Sequence, residues 1–378
     1  MNDYYSFEDI HRAGKVVSIG AVEKILQTTE PVEQIVLTTD GTSKVKVSLP
    51  DHWNLDLKEL DDGTITSCTI EVDGDRFYLS KRAVLSLLSM IGISDRYAYK
   101  TPGFLLEPHV NYWFEHEGVG PDADLKLITK DEYAVGFMRT FQQVVSNLKV
   151  LEQVKKYFAN NKIKGELFVD PQIVHNYVQT EFRIILPEVA FTVDTTRNGV
   201  VETDKWHFGI LISNSLTSTL NKPLTISGFM LEQKSLAGIL PEYSHISGYT
   251  RHVDMDVEDL NGWVHSTLDQ IFSILPAEAE MIAHMPEHSL VGKVGPITSD
   301  IFRSMKVHRK VQEIALENLT VSGDMTSYGI MHSMATAVTN SGYKFAPKVV
   351  NHIQQVCGSL PARSEEICDS CGRLHLVS

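Results

Sequence analysis

The clearest pattern in the chain is a near-continuous apolar run at residues 206–215, Trp-His-Phe-Gly-Ile-Leu-Ile-Ser-Asn-Ser. After a polar connector comes a second run at 223–232, Pro-Leu-Thr-Ile-Ser-Gly-Phe-Met-Leu-Glu. Phe208, Ile210 and Ile212 alternate with Gly209, Leu211 and Ser213, and neither set carries a charge. A strand covered on both faces has this composition, so the pair reads as the centre of a sheet. Upstream, residues 34–39 and 44–49 flank Asp40-Gly41, and residues 65–72 and 76–79 flank Asp73-Gly74. Asp-Gly between β-like runs predicts a hairpin, because glycine accepts the positive φ of the turn. Residues 125–129 and 132–137 predict another hairpin, and 177–186 and 189–193 read as extended.

Helical spacing appears first over 81–90, where Ser80 is a candidate N-cap and Val84, Leu87, Leu88 and Ile91 form the apolar stripe. It continues through an aromatic-rich stretch, placing helices near 81–117, and returns at 146–158. From Asp254 onward the 3.6 period dominates, with helices expected over 257–275, 298–319, 327–341 and 345–356. Strands early and helices late predict an α+β fold, with an antiparallel or mixed sheet core in the N-terminal and central parts and a helical C-terminal region. The Pro- and Gly-marked stretch 286–296 is the expected hinge, dividing a core of residues 1–285 from a helical region of residues 286–378.

Composition adds boundaries. With 378 residues, 43% hydrophobic and 22% charged, the chain has the make-up of a soluble globular protein. Its net charge of −14 counts against a protein coated in basic surface for wrapping duplex DNA, although one local basic face is compatible with it. Four unevenly spread cysteines do not make a disulfide framework. The first residues lack a signal peptide's basic and apolar regions, and the apolar stretch near 83–93 is too short to span a bilayer. A reducing intracellular compartment is expected.

Several chemistries have no signature here: no Gly-x4-Gly-Lys-Ser/Thr loop, no Gly-x-Ser-x-Gly and no His-Glu-x-x-His. The candidate metal site is a zinc knuckle made by Cys368, Cys371 and His375, with Cys357 as fourth ligand and His352 as its substitute. Two thiolates two residues apart, followed by Gly372, can aim both sulfurs at one structural Zn²⁺. His252, Asp254 and Asp256 alternate and, if extended, would face one side as a hard-metal set; an acidic turn ahead of a helix is the plainer reading. Asp122, Asp124 and Lys126 only loosely imitate the acid-acid-lysine set of metal-dependent nucleases. Ser213-Asn214-Ser215 has no histidine assignable as a base. The best local basic patch is Arg303, Lys306 and Lys310 at i, i+3 and i+7 of one expected helix, with His308 and Arg309 beside them. Tyr97, Tyr112 and Trp113 are candidate stacking surfaces, with core packing the alternative for Trp113.

Taken together, the segments resemble the phage/plasmid-like protein family, a domain of unknown function carried by bacteriophages, plasmids and prophages. The likeness rests on Ala83-Val84, Leu87-Leu88, Ile91-Gly92-Ile93 and Tyr97, then Pro102, Leu106, Val110-Asn111 and Trp113. It continues in 208–215 with Leu224-Thr225-Ile226, and in Tyr328, Ala337-Val338-Thr339, Ala346, Val349 and Cys357-Gly358-Ser359-Leu360. The chain departs from the family after the second central strand, where Phe229-Met230-Leu231-Glu232 replaces an Arg and a Cys with Asn-Gly. The resemblance implies a mobile-element setting and no catalytic residues. The function expected is a non-catalytic accessory role in DNA transactions: single-strand binding, annealing or recombination through Arg303, Lys306, Arg309 and Lys310. The alternative is an acidic module that binds a host factor or defence protein. Expected partners are single-stranded DNA or a host or phage protein, with self-association, no membrane, and the cytoplasm of a bacterial host as the compartment.

Overall fold

A computed structural model of the chain describes residues 17–29, 33–37, 43–51, 53, 68–79, 81–117, 124–140, 145–163, 168–169, 174–176, 179–215, 224–242, 257–290 and 294–364. The fold is α+β, as the periodicity predicts, with two sheets that each cover their own buried cluster.

The first sheet contains β2 (Glu33–Leu37), β3 (Val45–Ser48), β4 (Thr69–Val72), β5 (Asp75–Leu79), β6 (Leu125–Lys130) and β7 (Tyr133–Arg139), in the order β2-β6-β7-β5-β4-β3. Only β5 and β7 run parallel. Asp73 and Gly74 close the β4–β5 hairpin with φ of 53° and 102°, the two positive angles a primed two-residue turn requires. The β6–β7 hairpin forms where the alternation places it. The hairpin expected around Asp40-Gly41 does not form: β2 pairs with β6, β3 pairs with β4, and the two strands lie at opposite edges. A side chain takes the place of the expected neighbour. From helix α4 (Gly103–Tyr112), the Asn111 amide bonds both Val47 N (2.7 Å) and Val47 O (2.9 Å), and Glu107 accepts from Leu49 N (2.8 Å). The free edge of β3 is thereby satisfied without a strand. Helices α2 (Lys81–Met90) and α3 (Asp95–Ala98) precede α4, and Val84, Leu87 and Leu88 are buried as the stripe predicts.

The second sheet is antiparallel throughout, with β1 (Val17–Ser18), β8 (Phe168–Val169), β10 (Gln179–Arg197), β11 (Val200–Ser215), β12 (Leu224–Glu232) and β13 (Gly238–Ile239) in the order β1-β8-β10-β11-β12-β13, and β9 (Val174–Asn176) also on β10. Helices α1 (Ile19–Thr29), α5 (Asn147–Asn160) and α6 (Val257–His284) contribute to its core. Trp206, Phe208, Ile210 and Ile212 of β11 face the helices, whereas Leu211 joins a smaller cluster with Phe229 and Leu240. The helix expected over 146–158 is α5, which Ser146 caps, its Oγ accepting from Lys149 N at 3.2 Å.

The boundary expected at residue 285 is not a break in packing. Val264 and Leu275 before it, and Phe302, Tyr328 and Ile353 after it, share one cluster with Trp206. The Pro-marked segment is tied down: Ser327 Oγ donates to Met285 O (2.9 Å), Ser327 N to His288 O (3.0 Å) and Leu290 N to Met325 O (2.8 Å). Residues 33–139 form the unit with its own core, and the C-terminal helices belong to the second sheet. Among the described residues no helix is long and apolar enough to cross a membrane.

The last long helix, α10 (Pro347–Ser359), lies against the chain around β13, where Leu240 N donates to Gln354 O (3.0 Å) and Glu242 N to Gly358 O (3.3 Å). A Cβ on Gly358 would fall 1.7 Å from Leu240 O. Gly358→Ala is therefore expected to cost about 3 kcal/mol, since only backbone can move. Gly262, in α6 with nothing within 4 Å of its Cβ position, should gain up to about 1 kcal/mol as alanine. Urea midpoints of the two variants check both signs.

Candidate functional site

The basic residues do not share one helix face, because the helix expected over 298–319 is broken. Helix α7 (Val294–Ser304) ends in a left-handed turn at Lys306 (φ 54°), with Lys306 N donating to Arg303 O (3.1 Å) and Val307 N to Phe302 O (2.9 Å). This doubly bonded stop normally uses glycine; here the burial of Val307 holds it. Helix α8 (Arg309–Ser322) restarts with His308 as N-cap, its ring Nδ1 accepting from Lys310 N at 3.3 Å. Arg303, Lys306, Arg309 and Lys310 are thus gathered at one corner.

Three of the four have acidic neighbours: Arg303 lies 3.3 Å from Asp300, and Arg309 and Lys310 lie 3.3 and 3.2 Å from Glu313. Lys306 is exposed and pairs with no acid among the described residues. Arg309 and Lys310 occupy the first turn of α8, the positive end of the helix dipole, where cations are disfavoured. There Glu313, one turn further along the helix, offsets the two charges.

A loop that sequence reasoning missed completes the corner. Between α9 (Ser327–Thr339) and α10, Phe345 meets the His308 ring edge-on at 6.0 Å and Tyr343 at 4.7 Å. Tyr343 is 52% exposed and Lys344 stands beside it. The interleaved Tyr-Lys-Phe after Gly342 was the available signal. The aromatics proposed from the sequence lie elsewhere: Tyr97 and Tyr112 are exposed on the first unit, and Trp113 is buried in its core.

Of the candidate zinc ligands, Cys357 is fully buried on α10, its Sγ 3.5 Å from Met331 O. Burial pushes that thiol up, away from the thiolate that metals require. The substitute, His352, points its Nε2 toward Met305 O (3.3 Å). Cys368, Cys371 and His375 lie outside the described residues, as do His252, Asp254, Asp256 and Asp122. Among the described residues, no group of three or more His, Cys, Asp or Glu side chains is placed to hold a metal. Asn214 is structural: its amide nitrogen donates to Val145 O (2.7 Å) and Asn147 Oδ1 (2.9 Å), fixing the approach to α5.

A second site, unmarked by any motif, lies where the helix-facing rows of β11 and β12 end. There the apolar rows give way to Asp204 and Glu232, and Trp206 stands opposite Glu232 in the register. Asn198 (φ 49°) and Gly199 (φ 78°) turn β10 into β11, bringing Arg197 back over Asp204. Arg197 Nη1 bonds Asp204 Oδ1 (2.9 Å) and Glu202 Oε2 (2.9 Å), and its Nη2 bonds Asp204 Oδ2. Tyr328 OH donates to Asp204 Oδ2 (2.8 Å) and accepts from Trp206 Nε1 (2.9 Å). Glu232 accepts from Lys234 N (2.8 Å), Ser235 N (2.5 Å) and Ser235 Oγ, with His332 Nε2 at 4.0 Å. Asp324 accepts from Thr195 and Thr326, each at 2.6 Å. Arg197, Glu202, Asp204, Glu232, Asp324 and His332 line a cleft of about 430 Å³ against α8 and α9.

Burial alone would push the Asp204 carboxyl up. The bonds and charge of Arg197, the nearby His332 ring and the Tyr328 hydroxyl outweigh it and hold the group below the ordinary carboxylate range. Glu232 follows the same pattern, with burial opposed by His332, Ser235 and Lys234 N. Burial and the Asp204 charge drive the Tyr328 hydroxyl well above the usual phenol value, so it remains a donor.

No protein-family model matches the chain, and no curated protein and no solved structure matches it.

Proposed function

We propose that the protein is a non-catalytic binder of single-stranded nucleic acid, acting through the α7–α8 corner. The observation that carries this reading is the His308–Phe345 contact, which brings the Tyr343–Phe345 loop against the residue that precedes Arg309 and Lys310 and follows Lys306 by two. Cations that follow a phosphate backbone, next to aromatic rings on which bases stack, are what sequence-tolerant single-strand binding requires. The role in DNA transactions would be binding or annealing.

The test is fluorescence anisotropy of a labelled single-stranded oligonucleotide with the full chain. Lys306→Gly is the informative variant, since glycine relieves the left-handed backbone while removing the cation. It should leave stability equal or higher and weaken binding several-fold. Tyr343→Ala should weaken it by about 1–3 kcal/mol, the usual contribution of one base stack. Binding by neither protein nor variants, or equal binding by all, would overturn the reading.

A second reading, an acidic module for a host or phage protein, is favoured by the exposed Tyr97, Tyr99, Phe104, Leu105 and Tyr112 on the first unit. It predicts a stoichiometric partner recovered from host extract that is lost in Phe104→Ser/Leu105→Ser. Recovery unchanged by that pair would remove the observation favouring it.

A further inference from the structure

Helix α4 is apolar on both sides. Leu106, Val110 and, just past its end, Trp113 and Phe114 are buried in the first unit's core. On the opposite side Phe104, Leu105, Pro108 and Tyr112 are all exposed and fall within about 100° of arc. The polar residues are arranged the reverse way from those of a surface helix. Glu107, the one side chain of α4 with a full charge, turns to Leu49 N (2.8 Å), and the Asn111 amide is committed to Val47. His109 and the Tyr112 hydroxyl are the polar groups left outside. A helix that is apolar all round belongs in an interior, so the outer stripe is a face to be covered.

Two of the exposed rings are ordered already. Tyr112 stacks on His116, with centroids 4.3 Å apart and planes at 14°, and Tyr99, in the turn leading into α4, stacks on Trp53 (6.3 Å, 21°). Rings held in this way lose little freedom on association. Phe104, Leu105 and Tyr112 are 59%, 55% and 53% exposed. With Pro108, His109 and the preceding Tyr97 they offer roughly 500 Å² or more, which suits a reversible dimer at the small end of specific interfaces.

Charge and spacing select the occupant. The stripe carries no full charge, so a basic partner finds no acids along it and a phosphate backbone no cations. Two copies of a chain with net charge −14 meet with least repulsion at such a face. The stripe is also symmetric about its proline, with Phe104 and Tyr112 four residues to either side of Pro108. Antiparallel copies of α4 crossing at Pro108 pair Phe104 of each with Tyr112 of the other, an aromatic contact made twice. The same pairing brings the end of one helix that follows exposed Lys100 to the end of the other that precedes exposed Glu115, and sets the two helix dipoles antiparallel.

We propose that the Phe104–Tyr112 face of α4 is a two-fold self-association interface, on which a second copy of the chain lays its own α4 antiparallel. This goes beyond single-strand binding at the α7–α8 corner, and it commits the exposed face of the first unit to a second copy instead of a host protein.

Sedimentation velocity on the purified full chain, without nucleic acid or extract, tests this. The chain should shift from monomer to dimer between about 1 and 200 μM, with a dissociation constant in the micromolar to tens-of-micromolar range. Phe104→Glu and Tyr112→Lys should each weaken association about tenfold or more, because each buries an unpaired charge at the interface. Both positions are exposed and both changes suit the α4 dipole, so the variants should fold, as circular dichroism would verify. Mixed in equal amounts they should associate again, since the introduced acid of one chain then faces the introduced base of the other. Leu105→Ser, which adds no charge, should weaken association about fivefold or more. A parent that stays monomeric at about 200 μM, association unchanged in the folded variants, or a mixture that associates no better than its components overturns the proposal. A monomeric parent that still recovers a host protein through Phe104 and Leu105 would give the face to that protein, and single-strand binding at the corner is read separately with Lys306→Gly.

Discussion

Asp204→Ala lowers the unfolding free energy by about 3–5 kcal/mol, the usual result of leaving one partner of a buried ion pair behind. Asp204 is 4% exposed and accepts from both Arg197 nitrogens and from Tyr328. Its loss strands a mostly buried guanidinium with only Glu202 and leaves the Tyr328 hydroxyl without its acceptor. Arg197→Met added to Asp204→Ala should restore much of the loss, because an apolar replacement for a buried pair is often close to neutral. Urea titration measures both. A loss below about 1 kcal/mol would place this pair with ordinary surface salt bridges and contradict the account.

The same groups set the acid limb of stability. Asp204 and Glu232 are held below their ordinary range in the fold, so their stabilisation is fully present above the unfolded carboxylate value and is lost as pH falls through the folded one. Stability should therefore hold near neutrality and fall below about pH 4. Asp204→Asn should flatten that fall.

Reversing Lys306, Arg309 and Lys310 to glutamate is expected to weaken single-strand binding on the order of 100-fold or more, at about 1 kcal/mol or more per lost charged contact. The fold should tolerate it, since all three side chains are exposed. At the first turn of α8, the better match of acids to the helix dipole offsets the lost pairs of Arg309 and Lys310 with Glu313, so little net change in stability is expected. Reduced binding with retained or raised stability is the signature of residues placed for a partner; reduced binding with reduced stability would point to a structural role.

Where local chemistry decides, the fold is legible in the sequence. Alternation and Asp-Gly or Asp-x turns identify β4–β5 and β6–β7, and Ser146 marks the start of α5. Where a long-range partner decides, it is not. The amide of Asn111 occupies the edge of β3 that Asp40-Gly41 would assign to β2, and nothing local to either strand announces it. The break at Lys306 was hidden because a lysine takes the left-handed position glycine usually marks, and the buried Val307 enforces it. The Asn198-Gly199 turn carries a strong hairpin signal, but its polar flanks, Thr-Thr-Arg before it, obscure the strands. Arg197 and Asp204 are consequently neighbours that only the folded hairpin reveals. The candidate interface was half legible: three basic residues by spacing with Arg309 beside them, and the aromatic loop only once His308 and Phe345 were seen together.

The salt dependence of single-strand binding decides whether the α7–α8 corner is the interface. The logarithm of the affinity for a labelled oligonucleotide should fall linearly with the logarithm of salt concentration, with a slope of about −0.7 for each phosphate contacted. Lys306→Gly should reduce the slope by about one phosphate's share, and the triple reversal should bring it close to zero. Measurable binding with a flat salt response, or one slope shared by the parent and both variants, would contradict the assignment of the α7–α8 corner as the interface.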